Sequence, residues 1–210
     1  MANNITMPFK KLEPQLLENL AGHNFEEPTA FQQKIISKIK SGSNIYGIGP
    51  KGCGKSTALV IGAIQKCKAK PEGDNPRVLI FVKDRAAVEA LKERFDPLTY
   101  HTGVRVVTIN EEHNLEKQKD AIYLGSDIVI ATTKRLSKLY FLNGINLGQL
   151  QMLVIEDASF LIRNNFHTDV SRISESLPKC QHLVFADKFD AKLQRLDNLF
   201  MANSQKVEVK

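Results

Sequence analysis

The sequence contains only three cysteines and no long hydrophobic run. No stretch approaches the roughly eighteen consecutive apolar residues of a membrane-spanning helix, and the N-terminus lacks the apolar centre of a signal peptide. Cys53, Cys67 and Cys180 show neither a C-x-x-C pattern nor a metal-ligand spacing with the histidines. These absences argue against a disulfide scaffold, a zinc site and a membrane partner, and they favour a cytoplasmic protein with reduced thiols.

The charge and composition restrict the class of protein further. Hydrophobic residues make up 42% of the chain and charged residues 25%, which argues against a disordered or fibrous protein. A length of 210 residues suits a single domain, which we expect to span residues 1–210. The net charge of +6 fits a polyanionic partner such as a nucleic acid, but surface lysines that serve solubility would give the same value.

Short apolar runs alternate with helical patterns along the chain. Each run is continuous rather than alternating, which is typical of strands covered on both faces. The runs are NIYGI (44–48), RVLIFV (77–82), VRVVTI (104–109), DIVIAT (127–132), MLVIE (152–156) and HLVFA (182–186). The alternation predicts an α/β fold, a three-layer domain with a mostly parallel central sheet between helices.

Helical patterns occupy the intervals between these runs. We predict them at residues 55–68, 86–95, 115–124, 134–141 and 189–200. Two further patterns, at residues 14–21 and 29–40, precede the first run and predict an N-terminal helical cap within residues 1–40. The final segment SQKVEVK (204–210) is either an edge strand or the start of a linker.

The segment GPKGCGKST (49–57) follows a predicted strand and begins a predicted helix, and it matches the phosphate-loop pattern G-x-x-x-x-G-K-[ST]. In such loops backbone N–H groups surround phosphate oxygens, the lysine reaches the β and γ phosphates, and the hydroxyl joins the Mg²⁺ shell. The residues expected at the nucleotide are Gly49, Lys51, Gly52, Cys53, Gly54, Lys55, Ser56 and Thr57. Cys53 itself is either a bystander or a redox-sensitive thiol.

Upstream of this loop, FEEPTAFQ (25–32) combines an aromatic residue, Pro-Thr and a glutamine. Here the chain resembles the DEAD-box family of RNA helicases, in its N-terminal RecA-like P-loop NTPase domain. The resemblance implies ATP and Mg²⁺ as cofactors, with Gln32 hydrogen-bonded to adenine and Thr29 supporting the phosphate loop. It also implies that Phe9 or Phe25 packs near the adenine. The second RecA-like domain of the family is absent from this chain, so such a domain is an expected partner in cis or in trans.

Two downstream segments stand where the family contacts the RNA backbone. KDRAAVEAL (83–91) contains Arg85, and TTKRL (132–136) contains Thr132, Lys134 and Arg135. The resemblance implies sequence-independent RNA contacts from these four residues. Lys134 replaces a family glycine and Asp84 adds a negative charge, so we expect a weakened contact. Alternatively, the two arginines are solvated residues at helix starts.

The run that ends in VIEDAS places EDAS (156–159) where the resemblance expects Asp-Glu-Ala-Asp. Glu156 would then hold Mg²⁺ through water together with Ser56, and Asp157 would orient the hydrolytic water. Because the second acid is an aspartate instead of a glutamate, its carboxylate is withdrawn by about 1 Å. A misplacement of a catalytic group on that scale can lower the rate about a hundredfold. The catalytic candidates are Lys55, Glu156 and Asp157. We expect the chain to retain ATP binding even where hydrolysis is impaired.

The residues that couple ATP to RNA in the family are also altered. Ser159 replaces the last acid of the motif, and Ala186, Asp187 and Lys188 replace Ser-Ala-Thr. The original coupling is therefore expected to be lost or rebuilt.

Two hypotheses for the function follow from these motifs. The chain is the ATP- and RNA-binding domain of a divergent ATP-dependent RNA helicase, unable to unwind RNA alone, or it belongs to a catalytically impaired pseudo-helicase that acts as a nucleotide- or RNA-binding regulatory module.

Overall fold

The computed structural model describes residues 9, 11–25, 27–163, 167–177 and 179–209. Residues 1–8, 10 and 26 of the predicted cap, and residue 210 of the predicted terminal segment, lie outside the described residues. Among the described residues, no helix is both long enough and apolar enough to cross a membrane.

The described strands form a seven-stranded, all-parallel sheet in the order β3-β4-β2-β5-β6-β1-β7. The strands are β1 (Ile45–Ile48), β2 (Val78–Val82), β3 (Val106–Ile109), β4 (Ile128–Thr132), β5 (Met152–Ile155), β6 (Gln181–Ala186) and β7 (Gln205–Glu208). The predicted α/β fold with a mostly parallel sheet is therefore confirmed. The terminal segment contributes an edge strand, since β7 pairs in parallel with β1.

Helices connect the strands on both faces of the sheet. They are α1 (Pro14–Gly22), α2 (Ala30–Ser41), α3 (Lys55–Lys66), α4 (Arg85–Thr99), α5 (Leu115–Tyr123), α6 (Thr133–Phe141), α7 (Ala158–Arg163), α8 (His167–Glu175) and α9 (Ala191–Gln194), which continues as a 3₁₀ turn (Arg195–Asn198). The single helix predicted at residues 189–200 was wrong. Asp190 caps α9 through the N–H groups of residues 192 and 193. Leu193 of α9 and Leu196 of the 3₁₀ turn are both buried and lie three positions apart, the spacing that a 3₁₀ turn places on one face.

Helices α7 and α8 were not predicted from the sequence. Few apolar residues mark α8, whose buried positions include only Val170 and Ile173 as large hydrophobic residues. Two apolar residues three positions apart give too weak a helical pattern to detect without knowing the surface that they cover.

Two hydrophobic clusters fill the space between the sheet and the helices. On one face, Ile80 and Ile128 pack with apolar side chains of α1–α4. On the other face, Leu79 and Val129 pack with apolar side chains of α5–α9. Because successive strand residues point to opposite faces, a strand covered on both sides needs apolar residues at every position. This explains the continuous hydrophobic runs in the sequence.

A buried carboxylate joins the amino ends of β2, β3 and β4, at the edge of the sheet opposite the phosphate loop. Asp127 is fully buried before β4 and accepts hydrogen bonds from Arg77 Nη2 at 2.8 Å and Arg105 Nε at 3.0 Å. Backbone N–H groups of Glu72 and Arg105 also donate to it, at 3.0 and 2.9 Å. Although burial alone would raise it, these hydrogen bonds hold the pKa of the Asp127 carboxyl below its usual range.

Replacing Asp127 by alanine should lower the free energy of unfolding by roughly 3–5 kcal/mol, because Arg77 would remain buried without its carboxylate partner. Urea unfolding monitored by circular dichroism measures the change. Asp74→Ala is the matched control, because Asp74 is 83% exposed and lies 3.8 Å from the guanidinium of Arg105. Its loss should change the stability by less than about 0.5 kcal/mol. A similar small change for Asp127→Ala would contradict the structural role of this carboxylate.

Candidate functional site

The parallel sheet brings the predicted functional segments to one edge. The phosphate loop follows β1, and β6 pairs with β1 so that Ala186 lies opposite Ile48. The backbone N–H of Gly49 extends this pairing by donating to the carbonyl of Ala186 at 3.2 Å. The next strand is β5, which ends at the acid pair. The loop, residues 156–157 and residues 186–187 are therefore neighbours at the carboxyl edge of the sheet.

The phosphate loop requires glycine at position 54, directly before Lys55. Gly54 has a φ of +99°, and a Cβ there would lie 2.7 Å from Gln32 Nε2 and 2.9 Å from Thr29 Oγ1. Both the left-handed conformation and this crowding exclude a side chain. The loop thus turns tightly into the N-terminus of α3, the geometry with which backbone N–H groups bind phosphate.

Thr29 and Gln32 contact the phosphate loop from behind. Thr29 Oγ1 donates to the carbonyl of Cys53 at 2.7 Å, and Gln32 Nε2 lies 3.4 Å from the carbonyl of Gly54. The two residues also form a capping box at the start of α2, in which each side chain accepts from the other's backbone N–H. This pair therefore connects the position of α2 to the shape of the loop. The hydrogen bonding of Gln32 to adenine stays a prediction.

The two aromatic candidates differ in exposure. Phe9 is buried in the hydrophobic core with only 1% of its surface exposed, whereas Phe25 is half-buried against the same cluster. Of the two, Phe25 retains surface that a ligand could contact. Cys53 is also half-buried and packs against this cluster.

Lys55 is held by three oxygen atoms. Its Nζ donates to the carbonyls of Gly49 and Pro50, the latter at 2.9 Å, and forms an ion pair with Asp187 Oδ1 at 2.8 Å. The lysine side chain is 15% exposed and the aspartate 49%. The ion pair was not predicted, because Asp187 and Lys55 are distant in sequence and only the β1–β6 pairing brings them together.

The acid pair lies opposite the start of α3. Ser56 Oγ donates to Glu156 Oε1 at 3.4 Å. Burial raises the pKa of the Glu156 carboxyl above its ordinary value, and the charge of Asp157 adds to this rise, while the Ser56 hydrogen bond opposes it. Both carboxylate oxygens of Asp157 accept from Ser159, from its backbone N–H at 2.9 Å and from its hydroxyl at 2.8 Å. Ser159 thus fixes the orientation of Asp157.

A cavity of about 580 Å³ adjoins the phosphate loop. The predicted site residues that line it are Lys51, Gly52, Gly54, Lys55, Ser56, Thr57, Glu156, Asp157, Ala186 and Asp187. Lys83 and Arg94 also line the cavity, although neither was predicted as a site residue. The position of Lys83 directly after β2 is a signal that the sequence contains. Arg94 lies in the middle of α4, and no sequence motif marks it. A second cavity, of about 730 Å³, lies beside the first and is lined by Ser159 and Lys188.

The oxygen ligands at the phosphate loop suit Mg²⁺, and they are too few for a metal ion whose ligands all come from protein side chains. Among the described residues, no group of three or more histidine, cysteine, aspartate or glutamate side chains could hold a metal ion. Ser56 and Glu156 supply one hydroxyl and one carboxylate, both hard oxygen ligands. Mg²⁺ usually keeps several waters and binds through one or two carboxylates plus substrate phosphates, so these residues fit it.

The predicted RNA-contact residues occupy the neighbouring strand ends. Arg85 begins α4 after β2, Thr132 ends β4, and the exposed Lys134 lies in the first turn of α6 with Arg135. The pairing of β2 with β4 brings these segments together. Asp84 has a local role here, because its carboxylate accepts from the N–H of Ala87 at 2.9 Å and caps α4.

Two glutamates after β3 contact most of these residues. Glu111 Oε2 accepts from Thr132 Oγ1 at 2.6 Å, and the Glu111 carbonyl accepts from the guanidinium of Arg135. Glu112 forms an ion pair with Arg85. These acids were not among the predicted site residues, although the sequence shows a glutamate pair just after a predicted strand. We call residues 110–113 the acidic loop.

Replacing Glu156 by glutamine should raise Tm at neutral pH, by about 2–4 °C for each kcal/mol gained. The raised pKa means that the folded state binds the proton more tightly than the unfolded state does. The wild type therefore loses stability as pH rises from about 4.5 through the folded pKa. The gain in Tm should vanish below about pH 4.5, where Glu156 of the wild type is protonated and is as neutral as the glutamine of the variant.

Calorimetric scans between pH 4 and pH 8 measure this difference, with Glu93→Gln on the exposed side of α4 as the control for charge removal. A gain that is independent of pH would show that the ionisation of Glu156 is not its cause.

Known proteins are similar to this chain in sequence and in fold. The chain is 24% identical over 212 aligned positions to the ATP-dependent RNA helicase DeaD of Haemophilus influenzae, covering 100% of this chain and 34% of that protein. Two solved structures superpose with a TM-score of 0.86. One is a DEAD box protein from the hyperthermophile Methanococcus jannaschii, 20% identical, covering 95% of this chain and 55% of that chain. The other is the yeast DEAD-box splicing factor Prp28, 21% identical, covering 97% and 51%.

At these identities the solved structures establish the fold alone. The chain spans about a third of the length of the curated relatives that it matches. The sequence model of DEAD/DEAH box helicases matches residues 29–186, which is most of the chain. The match includes Thr29, Gln32, the phosphate loop, the acid pair and the end of β6. The chain therefore belongs to the DEAD/DEAH box helicase family, and it has the N-terminal RecA-like domain of DEAD-box RNA helicases.

Proposed function

We propose that this chain binds ATP with Mg²⁺ as the N-terminal RecA-like domain of a divergent ATP-dependent RNA helicase. The observation that carries the proposal is the contact of Thr29 and Gln32 with the phosphate loop. A phosphate loop alone occurs in many NTPases, but this pair places a buried amide beside it. An amide group can both donate to and accept from an adenine edge.

The loop residues bind and orient the nucleotide. Backbone N–H groups of residues 52–57 would surround phosphate oxygens, and Lys55 would turn from its present partners to the phosphates. Ser56 and Glu156 would hold Mg²⁺, in the case of Glu156 through water. When bound, this ion supplies neutralisation of the charge that develops on the phosphates.

Asp157 is the residue that would orient the attacking water. Ser159 holds its carboxylate with two hydrogen bonds, so the short side chain cannot turn freely toward a distant water. A base must lie within about 2.6–3.2 Å of the proton that it takes. We therefore expect this chain to bind ATP but to hydrolyse it slowly.

RNA would contact the adjacent strand ends through Arg85, Thr132, Lys134 and Arg135. Such contacts with the sugar-phosphate backbone are independent of sequence. RNA unwinding would need a second RecA-like domain, in cis or in trans, to complete the RNA clamp and to supply an arginine finger. Ser159 and residues 186–188 would transmit changes between the two sites.

A second candidate function is that of a catalytically impaired regulatory module. The observation that favours it is the acidic loop, which contacts Arg85, Thr132 and Arg135. The Glu112 carboxylate on Arg85 and the Glu111 carboxylate on Thr132 would compete with RNA phosphates for the same donors, while the Glu111 carbonyl holds Arg135. A chain with this arrangement could bind nucleotide as a structural ligand while it binds RNA weakly.

Nucleotide binding by this chain is tested by isothermal titration calorimetry with MgATP and MgADP. Lys55→Ala should abolish detectable binding, because Lys55 is the loop residue expected to reach the β and γ phosphates. Gln32→Ala should weaken binding about tenfold, since it removes the adenine contact and half of the capping box. Gln33→Ala is the matched control, because Gln33 is exposed on the next position of α2. Absence of binding by the unmodified chain at millimolar nucleotide would remove the proposal.

The competition at the RNA surface is tested with the double variant Glu111→Gln/Glu112→Gln. We expect its affinity for a fluorescent single-stranded oligouridylate to rise about tenfold, with a steeper salt dependence, because Arg85 loses its ionic partner Glu112 and can then contact a phosphate. Fluorescence polarisation at two salt concentrations measures both changes. Glu116→Gln/Asp120→Asn removes the same charge from the exposed part of α5. An equal rise in this control would show a bulk charge effect, and no rise in either would show that the acidic loop does not compete.

A further inference from the structure

Asp187 lies beside the phosphate loop because of the backbone register of the sheet. Ala186 pairs with Ile48 at the end of β6, and its carbonyl accepts from the N–H of Gly49 at 3.2 Å. Gly49 and Asp187, the residues that follow this pair, therefore lie next to each other at the entrance of the phosphate site. This position depends on strand pairing and not on the flexible packing of a surface side chain.

The Asp187 carboxylate is bound to the ammonium group that a phosphate oxygen is expected to contact. Its Oδ1 lies 2.8 Å from Lys55 Nζ, a normal length for a charge-assisted hydrogen bond. Carbonyls of Gly49 and Pro50 take the remaining ammonium hydrogens. Because the lysine of a phosphate loop reaches the β and γ phosphates, Asp187 is an internal anion bound to a ligand-binding cation.

The surroundings make this negative charge matter more for a triphosphate. Asp187 shares its cavity with two other carboxylates, Glu156 and Asp157, and with the cationic side chains of Lys51, Lys83 and Arg94. The acid paired with the loop lysine is Asp187. The loop lysine of such sites reaches both the β and the γ phosphate, so a triphosphate would add a charged group beside the lysine that Asp187 contacts, and a diphosphate would lack this group. Like charges a few ångströms apart in a partly buried site repel appreciably.

We propose that Asp187 determines the nucleotide preference of the site and favours ADP over ATP. The proposal rests on the proposed function, since it assumes that the phosphate loop binds adenine nucleotides. With ADP, Lys55 can contact the β phosphate while Asp187 stays near it. With ATP, the carboxylate must leave the lysine and still remains close to the terminal phosphate.

The test compares dissociation constants of MgADP and of the magnesium complex of adenylyl imidodiphosphate, a non-hydrolysable ATP analogue, by isothermal titration calorimetry. Asp187→Asn keeps the shape of the side chain and removes its charge. We expect this variant to bind the triphosphate analogue about tenfold more tightly and ADP less than about threefold more tightly. Asp187→Ala should give the same ratio, and Asp74→Asn, at the opposite edge of the sheet, should leave both constants unchanged.

Three results would overturn the proposal. Equal improvement for both nucleotides would make Asp187 a general competitor without preference. Unchanged constants would show that the ion pair with Lys55 does not oppose binding. Weaker binding of the triphosphate would identify the carboxylate as a direct or water-mediated partner of Mg²⁺. Absence of nucleotide binding in the wild type and in all variants would instead contradict the proposed function itself.

Discussion

The parallel backbone register of the sheet is the constraint on which the rest of the structure depends. It places the carboxyl ends of the strands at one edge, where the phosphate loop, the acid pair and the RNA-contact candidates lie. The segments that form this edge are far apart in sequence, and hydrogen bonds between strands keep their spacing. Continuous apolar runs stabilise this register, because each strand is buried against helices on both faces.

Two buried or half-buried acids show how the two edges of the sheet differ. Asp127, at the amino edge, has a hydrogen-bond partner for each oxygen, so its charge stabilises the fold. Glu156, at the carboxyl edge, has the weak Ser56 contact and an acidic neighbour, so burial raises its pKa. A carboxylate that the fold does not satisfy suits a site in which a cation would compensate it.

Internal anions are proposed to oppose ligand binding in both halves of the site. Asp187 pairs with Lys55 at the phosphate loop, and the acidic loop pairs with Arg85 at the proposed RNA surface. In each case a carboxylate of the chain contacts a cation that a phosphate would otherwise bind. The strength of this opposition differs, because the Lys55 ammonium is largely buried whereas the Arg85 pair is exposed and screened by solvent.

The sequence by itself determined the α/β class, the predicted strands, the phosphate loop and the family resemblance, because these depend on local hydrophobic patterns and on short motifs. It did not reveal α7 and α8, since few apolar residues mark α8, nor the break after α9. Only the tertiary structure decided the partners of Lys55, Asp157 and Thr132. Those contacts depend on which strands are neighbours, and strand order is a long-range property that no local pattern records.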